Sequence, residues 1–322
     1  MKKLVLHLGA HRCGSTAIQT LLRREHDVLE GAGVGVFLRA DMIAGGFDLR
    51  RLHRYRRANP LWCSKLAKTA RAIEAMPQQT LIVSEENIMG TMPGVRSNRF
   101  YPHFSNLVQS LVKLSELGEE PLLIAPRVVV RRQDHYLESV YAFRVSRGLS
   151  ASFDEFIKAT TRTRISWLGL SRAFDEVTPS ISPAFALLEG WPKPTAADQA
   201  MSFLIGKNSL ELSQPRLTGN IRRSAFELRL ILAMNRAGID WRGAHWREDL
   251  LNTPSDDAPE ALTLLKQHLS AEQFQRFEGH YSQPFKLGFD DGERAAFVES
   301  YREENSEFLR GDIVRSDASV WL

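Results

Sequence analysis

An apolar run that ends at a glycine constrains this chain most. Leu4-Val5-Leu6-His7-Leu8 is followed by Gly9, and a continuous apolar run bounded by glycine suits a strand buried on both faces of a parallel sheet. From Ser15 the period changes. Ala17, Ile18, Leu21 and Leu22 form one stripe of a helix, so the chain opens as strand, glycine-containing loop, helix. The alternation continues. Residues 33–39 read as a strand, 62–76 as a helix, 80–84 as a strand and 103–117 as a helix. Leu122 to Val130 reads as a strand whose start Pro126 is expected to push later, and a helix with Tyr136, Leu137, Val140 and Tyr141 on one face follows. Helices are expected at 152–160, 165–177, 196–205 and 224–236, with a late strand at 182–188. Such alternation implies an α/β fold, a central parallel sheet flanked by helices with helical C-terminal elements. We expect one domain over 1–322, with 1–240 as a ligand-binding core and 241–322 as a helical extension.

Ligands of open parallel sheets sit beyond the carboxyl ends of the strands. Three strands here end in polar clusters: Gly9 to Thr16, Ser84 to Asn87, and Arg131 to Asp134. A parallel sheet brings all three to one edge. The first cluster, Gly9-Ala10-His11-Arg12-Cys13-Gly14-Ser15-Thr16, has the P-loop spacing G-x-x-x-x-G-x-T, whose backbone N–H groups and helix N-terminus hold a phosphate. A nucleoside triphosphatase places Lys after the second glycine. Ser15 stands there instead, and the loop's cation is Arg12. A loop without that lysine lacks the main clamp on a γ-phosphate.

Lys plus Arg number 42 against 38 Asp plus Glu, a balance that suits a pocket for a polyanion rather than a nucleic-acid binder. No apolar run reaches the ~20 residues of a membrane span. Two cysteines, Cys13 and Cys63, are too few for a disulfide framework, so a reduced, cytoplasmic protein is expected. No metal-ligand spacing occurs. Cys13 sits beside Arg12 at a helix N-terminus, a setting that lowers a thiol pKa, although a plain loop residue fits as well. The run Arg50 to Arg57 reads either as a solvated helix face or as a site for an anionic acceptor.

The stretch His7 to Leu21 (HLGAHRCGSTAIQTL) resembles the 5′-phosphosulfate loop of sulfotransferases that use 3′-phosphoadenosine-5′-phosphosulfate (PAPS), especially bacterial and carbohydrate-type ones. Those proteins usually carry Lys at the position of Arg12, followed by Thr/Ser-Gly-Thr/Ser-Thr, so Arg12 and Cys13 depart from the common form. The resemblance implies a P-loop NTPase-like sulfotransferase fold. It also implies that Arg12, Cys13, Gly14, Ser15 and Thr16 hold the phosphosulfate. Arg131 and Ser139, eight residues apart in RRQDHYLESVY, match the family's 3′-phosphate pair. Arg222 and Arg223, in LTGNIRRS, match its basic third segment more loosely. The implied reaction is PAPS plus a hydroxyl of a carbohydrate or small-molecule acceptor giving PAP (3′,5′-adenosine bisphosphate) and a sulfated product, with no metal.

Such a transfer needs a base near the sulfate. Glu86, beyond the strand Leu81–Val83 in Val-Ser-Glu-Glu-Asn, is the first choice and is similar to the acid of the Ser-x-Glu segment in carbohydrate-type members. Glu85 is expected to point elsewhere. His11 and His103 are rivals, His11 also as a residue that shapes the loop. Two other functions stay open on the sequence: a P-loop kinase using ATP and Mg²⁺, and a non-catalytic nucleotide-binding protein.

Overall fold

A computed structural model describes residues 1–54, 59–93, 99–175, 177–206, 212, 223–253, 258–315 and 321. The fold is α/β. Five parallel strands, β1 (Lys3–His7), β2 (Val34–Phe37), β3 (Thr80–Ser84), β4 (Leu123–Val130) and β5 (Ala184–Leu187), form one sheet in the order β2-β3-β1-β4-β5. β1 is central. Leu4, Val5 and Leu6 are fully buried, as the apolar centre of a strand covered on both faces must be. The helix α1 (Ser15–Arg24) buries Ala17, Ile18, Leu21 and Leu22, the stripe expected from their spacing.

The sheet order positions the site. From β1 the chain travels outward to β2, returns to β3 beside β1, then passes to β4 on the opposite side. The winding therefore reverses between β1 and β4, and the crevice beyond the carboxyl ends of these strands is where open α/β sheets take ligands.

Two expectations about elements are corrected. Pro126 does not delay β4, which begins at Leu123. The bridge of Ile124 with Ile181 and the pairing of Arg127 with Ala184 place Pro126 between them. At this step Ser182 O lies opposite the missing N–H and takes the Arg127 Nη1 donor instead, at 2.7 Å. The lost ladder bond is thus replaced by a side chain one residue on. The helix expected at 165–177 covers only Trp167–Arg172. Ser166 takes the N-cap, its Oγ accepting from Gly169 N at 2.7 Å, and Phe174 N turns back to Ser171 O.

The chain divides into two compact units. The first comprises Met1–Gln133, Arg162–Asn220 and Val298–Leu322 and contains the sheet. The second comprises Asp134–Thr161 and Ile221–Phe297, so residues beyond 240 belong to both. The second unit is helical. Its helix from Gln133 to Val145 contributes Asp134 and Glu138, and Arg294 bridges the two at 2.5 and 2.6 Å. Asn235 ties the helix Ala225–Arg236 to Val145 O and Leu149 O at 2.8 and 2.9 Å, and Tyr141, Phe153, Phe156 and Phe289 form its aromatic core. No helix among the described residues is long and apolar enough to cross a membrane.

Candidate active site

The loop after β1 is shaped by three left-handed residues: Gly9 (φ 26°), Arg12 (φ 67°) and Gly14 (φ 85°). Gly9 cannot be replaced without collision, because a side chain there meets Ser15 Oγ and His7 Nε2. Arg12 is not a glycine, and a left-handed L-residue costs about 1–2 kcal/mol. The loop sits on the end of β4, with Leu8 N donating to Arg127 O at 2.9 Å and Ala10 N to Val129 O at 3.1 Å. Cys13 N closes a turn on Ala10 O at 3.0 Å.

Gly14 then caps α1 with no side chain, and the first turn of α1 carries no acidic residue. Its opening N–H groups and the positive end of its dipole meet no protein carboxylate from that turn, while Arg23 and Arg24 occupy the last turn. Such a helix start favours an anion. Two buried polar atoms adjoin it. Ser15 Oγ and His7 Nε2 make no full hydrogen bond among the described residues, although Ser15 lies close enough to the Glu86 carboxylate to favour its charge. His7 is held from its other side, Nδ1 to Ser84 Oγ at 2.7 Å, and burial lowers its pKa to about 4. It is neutral at physiological pH.

The β3 flank brings two carboxylates. Glu85 N donates to His7 O at 3.3 Å. The Glu85 side chain is buried and turned onto Asn87, accepting from Asn87 N at 3.0 Å and from Asn87 Nδ2. Glu86 is half-buried and faces Ser15 and Arg12. Burial, then the adjacent Glu85 charge, raise the Glu86 pKa above the usual carboxylate range; Ser15 and Arg12 oppose the rise without cancelling it. A carboxylate so displaced at a strand end has the character of a general base.

His11 is tied rather than free. The Tyr101 hydroxyl accepts from His11 N at 3.0 Å and lies 2.9 Å from His11 Nδ1. Asn87 bonds the same ring. Burial first, and Arg12 after it, lower the His11 pKa to about 4. Tyr101 has φ 39°. Arg12 and Tyr101 are the two non-glycine residues with positive φ among those described, and both belong to this loop and its brace. Strain of this kind concentrates at functional sites.

The β4–β5 flank brings Arg131. Its guanidinium acts electrostatically on Arg12 and Cys13, and its Nε pairs with Glu189 Oε1 at 3.3 Å. The partner is Glu189, just past β5, and not the neighbouring Asp134. Burial lowers the Arg12 pKa, Glu86 raises it and Arg131 lowers it, and a guanidinium stays charged throughout. Cys13 is fully buried, and burial pushes its thiol up despite both arginines. It is a packing residue of the loop and not a poised thiolate.

The first unit therefore gathers His11, Arg12, Cys13, Gly14, Ser15, Glu86 and Arg131 at one sheet edge. Thr16 is exposed on the first turn of α1, and His103 is exposed at the start of the helix Phe104–Ser115. Ser139 and Arg223 belong to the second unit. Ser139 is buried on the helix Gln133–Val145. Arg223 pairs with Glu227 at 3.2 Å, four residues on, where Ser224 caps the following helix. Arg222 lies outside the described residues, as does most of the basic loop before it. Of the run Arg50 to Arg57, residues 55–57 also lie outside them, and Arg50 is paired with Asp48 at 2.7 Å.

Sequence reasoning gave no role to Tyr101 or Glu189 and named Asn87 only as the last residue of a strand-end cluster. Glu189 left a signal, a carboxylate just past the last expected strand. A separate groove of about 850 Å³ opens in the first unit between the helices Trp167–Arg172 and Arg302–Arg310. Six of its charged side chains are paired, Arg164 with Glu304, Arg172 with Glu307 and Arg302 with Glu299, and it carries none of the groups described above. Compared with protein-family models, curated proteins and solved structures, the chain matches none.

Proposed function

We propose that this protein is a PAPS-dependent sulfotransferase acting on a hydroxyl of a carbohydrate or small-molecule acceptor. One observation carries the reading. A P-loop-spaced loop with Ser15 in place of the triphosphatase lysine carries Arg12, on which both Arg131 and Glu86, a carboxylate of raised pKa, act electrostatically. PAPS supplies a sulfuryl group already joined to a good phosphate leaving group. The chain's own residues supply the rest. The N–H groups at the start of α1 and Arg12 offset charge on the phosphosulfate. Glu86 takes the acceptor hydroxyl proton as that oxygen bonds to sulfur and the bond from sulfur to the 5′-phosphate oxygen breaks, leaving PAP. His11, neutral and tied to Tyr101, holds the loop in shape. On the resemblance, Arg131 and Ser139 take the 3′-phosphate, with Arg222 and Arg223 as further basic contacts.

Calorimetric titration with PAP, set beside ATP plus Mg²⁺, tests the reading. Tight PAP binding with little ATP binding supports it. Binding of ATP with Mg²⁺ and not of PAP replaces it with a kinase, and PAP binding without transfer to any acceptor tried leaves a nucleotide-binding protein.

A further inference from the structure

We infer that Glu189 is a positioning residue: it grips Arg131 by the Nε edge so that the two terminal guanidinium nitrogens are offered to a phosphate, and Trp321 in turn fixes Glu189. The inference rests on the PAPS reading for the identity of the ligand. The geometry is specific. Glu189 Oε1 pairs with Arg131 Nε at 3.3 Å, and the Arg132 N–H reaches both carboxylate oxygens at 3.3 Å. The Trp321 indole N–H donates to Oε2 at 3.1 Å. Among the described residues Arg131 uses no other guanidinium nitrogen in a hydrogen bond. A carboxylate acting as a rival for the phosphate would take Arg131 through a bidentate fork. Here the backbone and the indole engage the oxygens, and one edge contact is left for the arginine.

The support extends outward. Trp167 Nε1 donates to Arg131 O at 2.9 Å, fixing the backbone from which the guanidinium projects. Trp321 is buried and stacks on Phe308 at 6.0 Å, and Phe308 meets Phe185 of β5 edge-on at 5.6 Å. Residues 313–315 are bound to the same strand, Phe185 N donating to Ile313 O and Arg315 N to Phe185 O, each at 2.8 Å. Arg12 and Arg131 repel one another, so an unanchored Arg131 would swing from the loop. Glu189 opposes that swing.

The test is PAP titration of the full chain and of Glu189→Gln, Trp321→Phe and Arg131→Ala. The direction of the Glu189→Gln effect decides. Positioning predicts about 3–10-fold weaker PAP binding, the scale of one lost charge-assisted contact held at second hand, and a raised KM for PAPS with kcat nearly unchanged. A merely competing carboxylate predicts tighter binding, and that result, or an unchanged Kd, overturns the inference. Trp321→Phe keeps the stacking ring and loses the donor, so it should weaken PAP binding in the same direction by a smaller factor. In the Arg131→Ala background the Glu189→Gln effect should vanish; a purely structural effect of Glu189 would persist there. If the full chain does not bind PAP, the PAPS reading fails on its own. The same variants titrated with inorganic pyrophosphate then decide the positioning role, which is lost if Glu189→Gln leaves that affinity unchanged or stronger, or if pyrophosphate does not bind.

Discussion

The two flanks of the β1 loop each present an acidic residue to an arginine, yet the two carboxylates differ in kind. On the β4–β5 side Glu189 is engaged by the Arg132 N–H, the Trp321 indole and Arg131 Nε. On the β3 side, among the described residues, Glu86 has the Ser15 hydroxyl nearby and the field of Arg12 to hold its charge, and Glu85 beside it works against that charge. The difference is a matter of donors. A carboxylate fully supplied with N–H groups is fixed in place and serves to orient; one that is buried and under-supplied is pushed toward protonation and gains use as a base. Glu85 makes the same point within one flank. It spends its oxygens on Asn87, and Glu86, one residue on, is left to face the loop.

The sharpest way to break this comparison is to remove the proton acceptor. Glu86→Gln should lower kcat by about 10²-fold or more, the usual scale for loss of a general base, while PAP affinity is retained. Near-normal turnover would transfer the role to a histidine, and of the two considered, His103 is exposed whereas His11 is already bonded to Tyr101. The next effect falls on the other flank. Arg131→Ala should weaken PAP binding by about 10–100-fold, as expected for charge-assisted bonds to a phosphate, and Ser139→Ala by only a few-fold, as for a neutral hydroxyl. An unchanged Kd in Arg131→Ala would remove the 3′-phosphate assignment without touching the base.

A smaller effect sharpens the contrast between the paired glutamates. Turnover requires Glu86 ionised, so the acid limb of the pH profile of kcat should lie above the ordinary carboxylate range. Glu85→Gln removes the neighbouring charge that helps raise the Glu86 pKa and keeps an oxygen for Asn87 N. The acid limb should then move to lower pH with little change in the plateau. A limb that stays in place would mean that another group sets it.

How much of this was legible in the chain follows from sequence separation. The strand Lys3–His7 and the helix Ser15–Arg24 are read from contiguous residues whose apolar period changes at Gly9, and Gly9, Arg12 and Gly14 supply the turn within the same dozen positions. The Pro126 strand misled because the donor that replaces its N–H comes from a side chain reaching Ser182, 55 residues from Arg127. The pairings of the brace and the anchor were invisible for the same reason. Tyr101 is 90 residues from His11, and Glu189 is 58 from Arg131 and 132 from Trp321. No local pattern announces a hydroxyl that must carry a positive φ to reach a loop, or an indole that completes a carboxylate. Charge type was legible at strand ends; which charge meets which was not.

The smallest effect is on stability, and it separates a desolvated base from a well-paired carboxylate. Folding raises the Glu86 pKa above its unfolded value, so the protonated form is the one the fold favours. That contribution is fully present below the unfolded carboxylate pKa and is lost as pH rises through the folded one. Near neutral pH the ionised Glu86 is therefore a cost that Gln does not carry. Glu86→Gln should melt slightly higher than the unaltered protein at pH 7, on the order of 2 °C if about 1 kcal/mol is recovered in a chain of this size. The gain should shrink as pH is lowered through the folded pKa and vanish below the ordinary carboxylate range, where the glutamate is protonated in both states. Glu189→Gln should show no such gain at neutral pH, since its charge is matched by donors that an amide cannot serve equally. Thermal melts of both variants across pH make the comparison directly. An Glu86→Gln difference that is negative, or that does not change with pH, would mean that Glu86 is as well satisfied as Glu189, and the base would have to be sought elsewhere on the sheet edge.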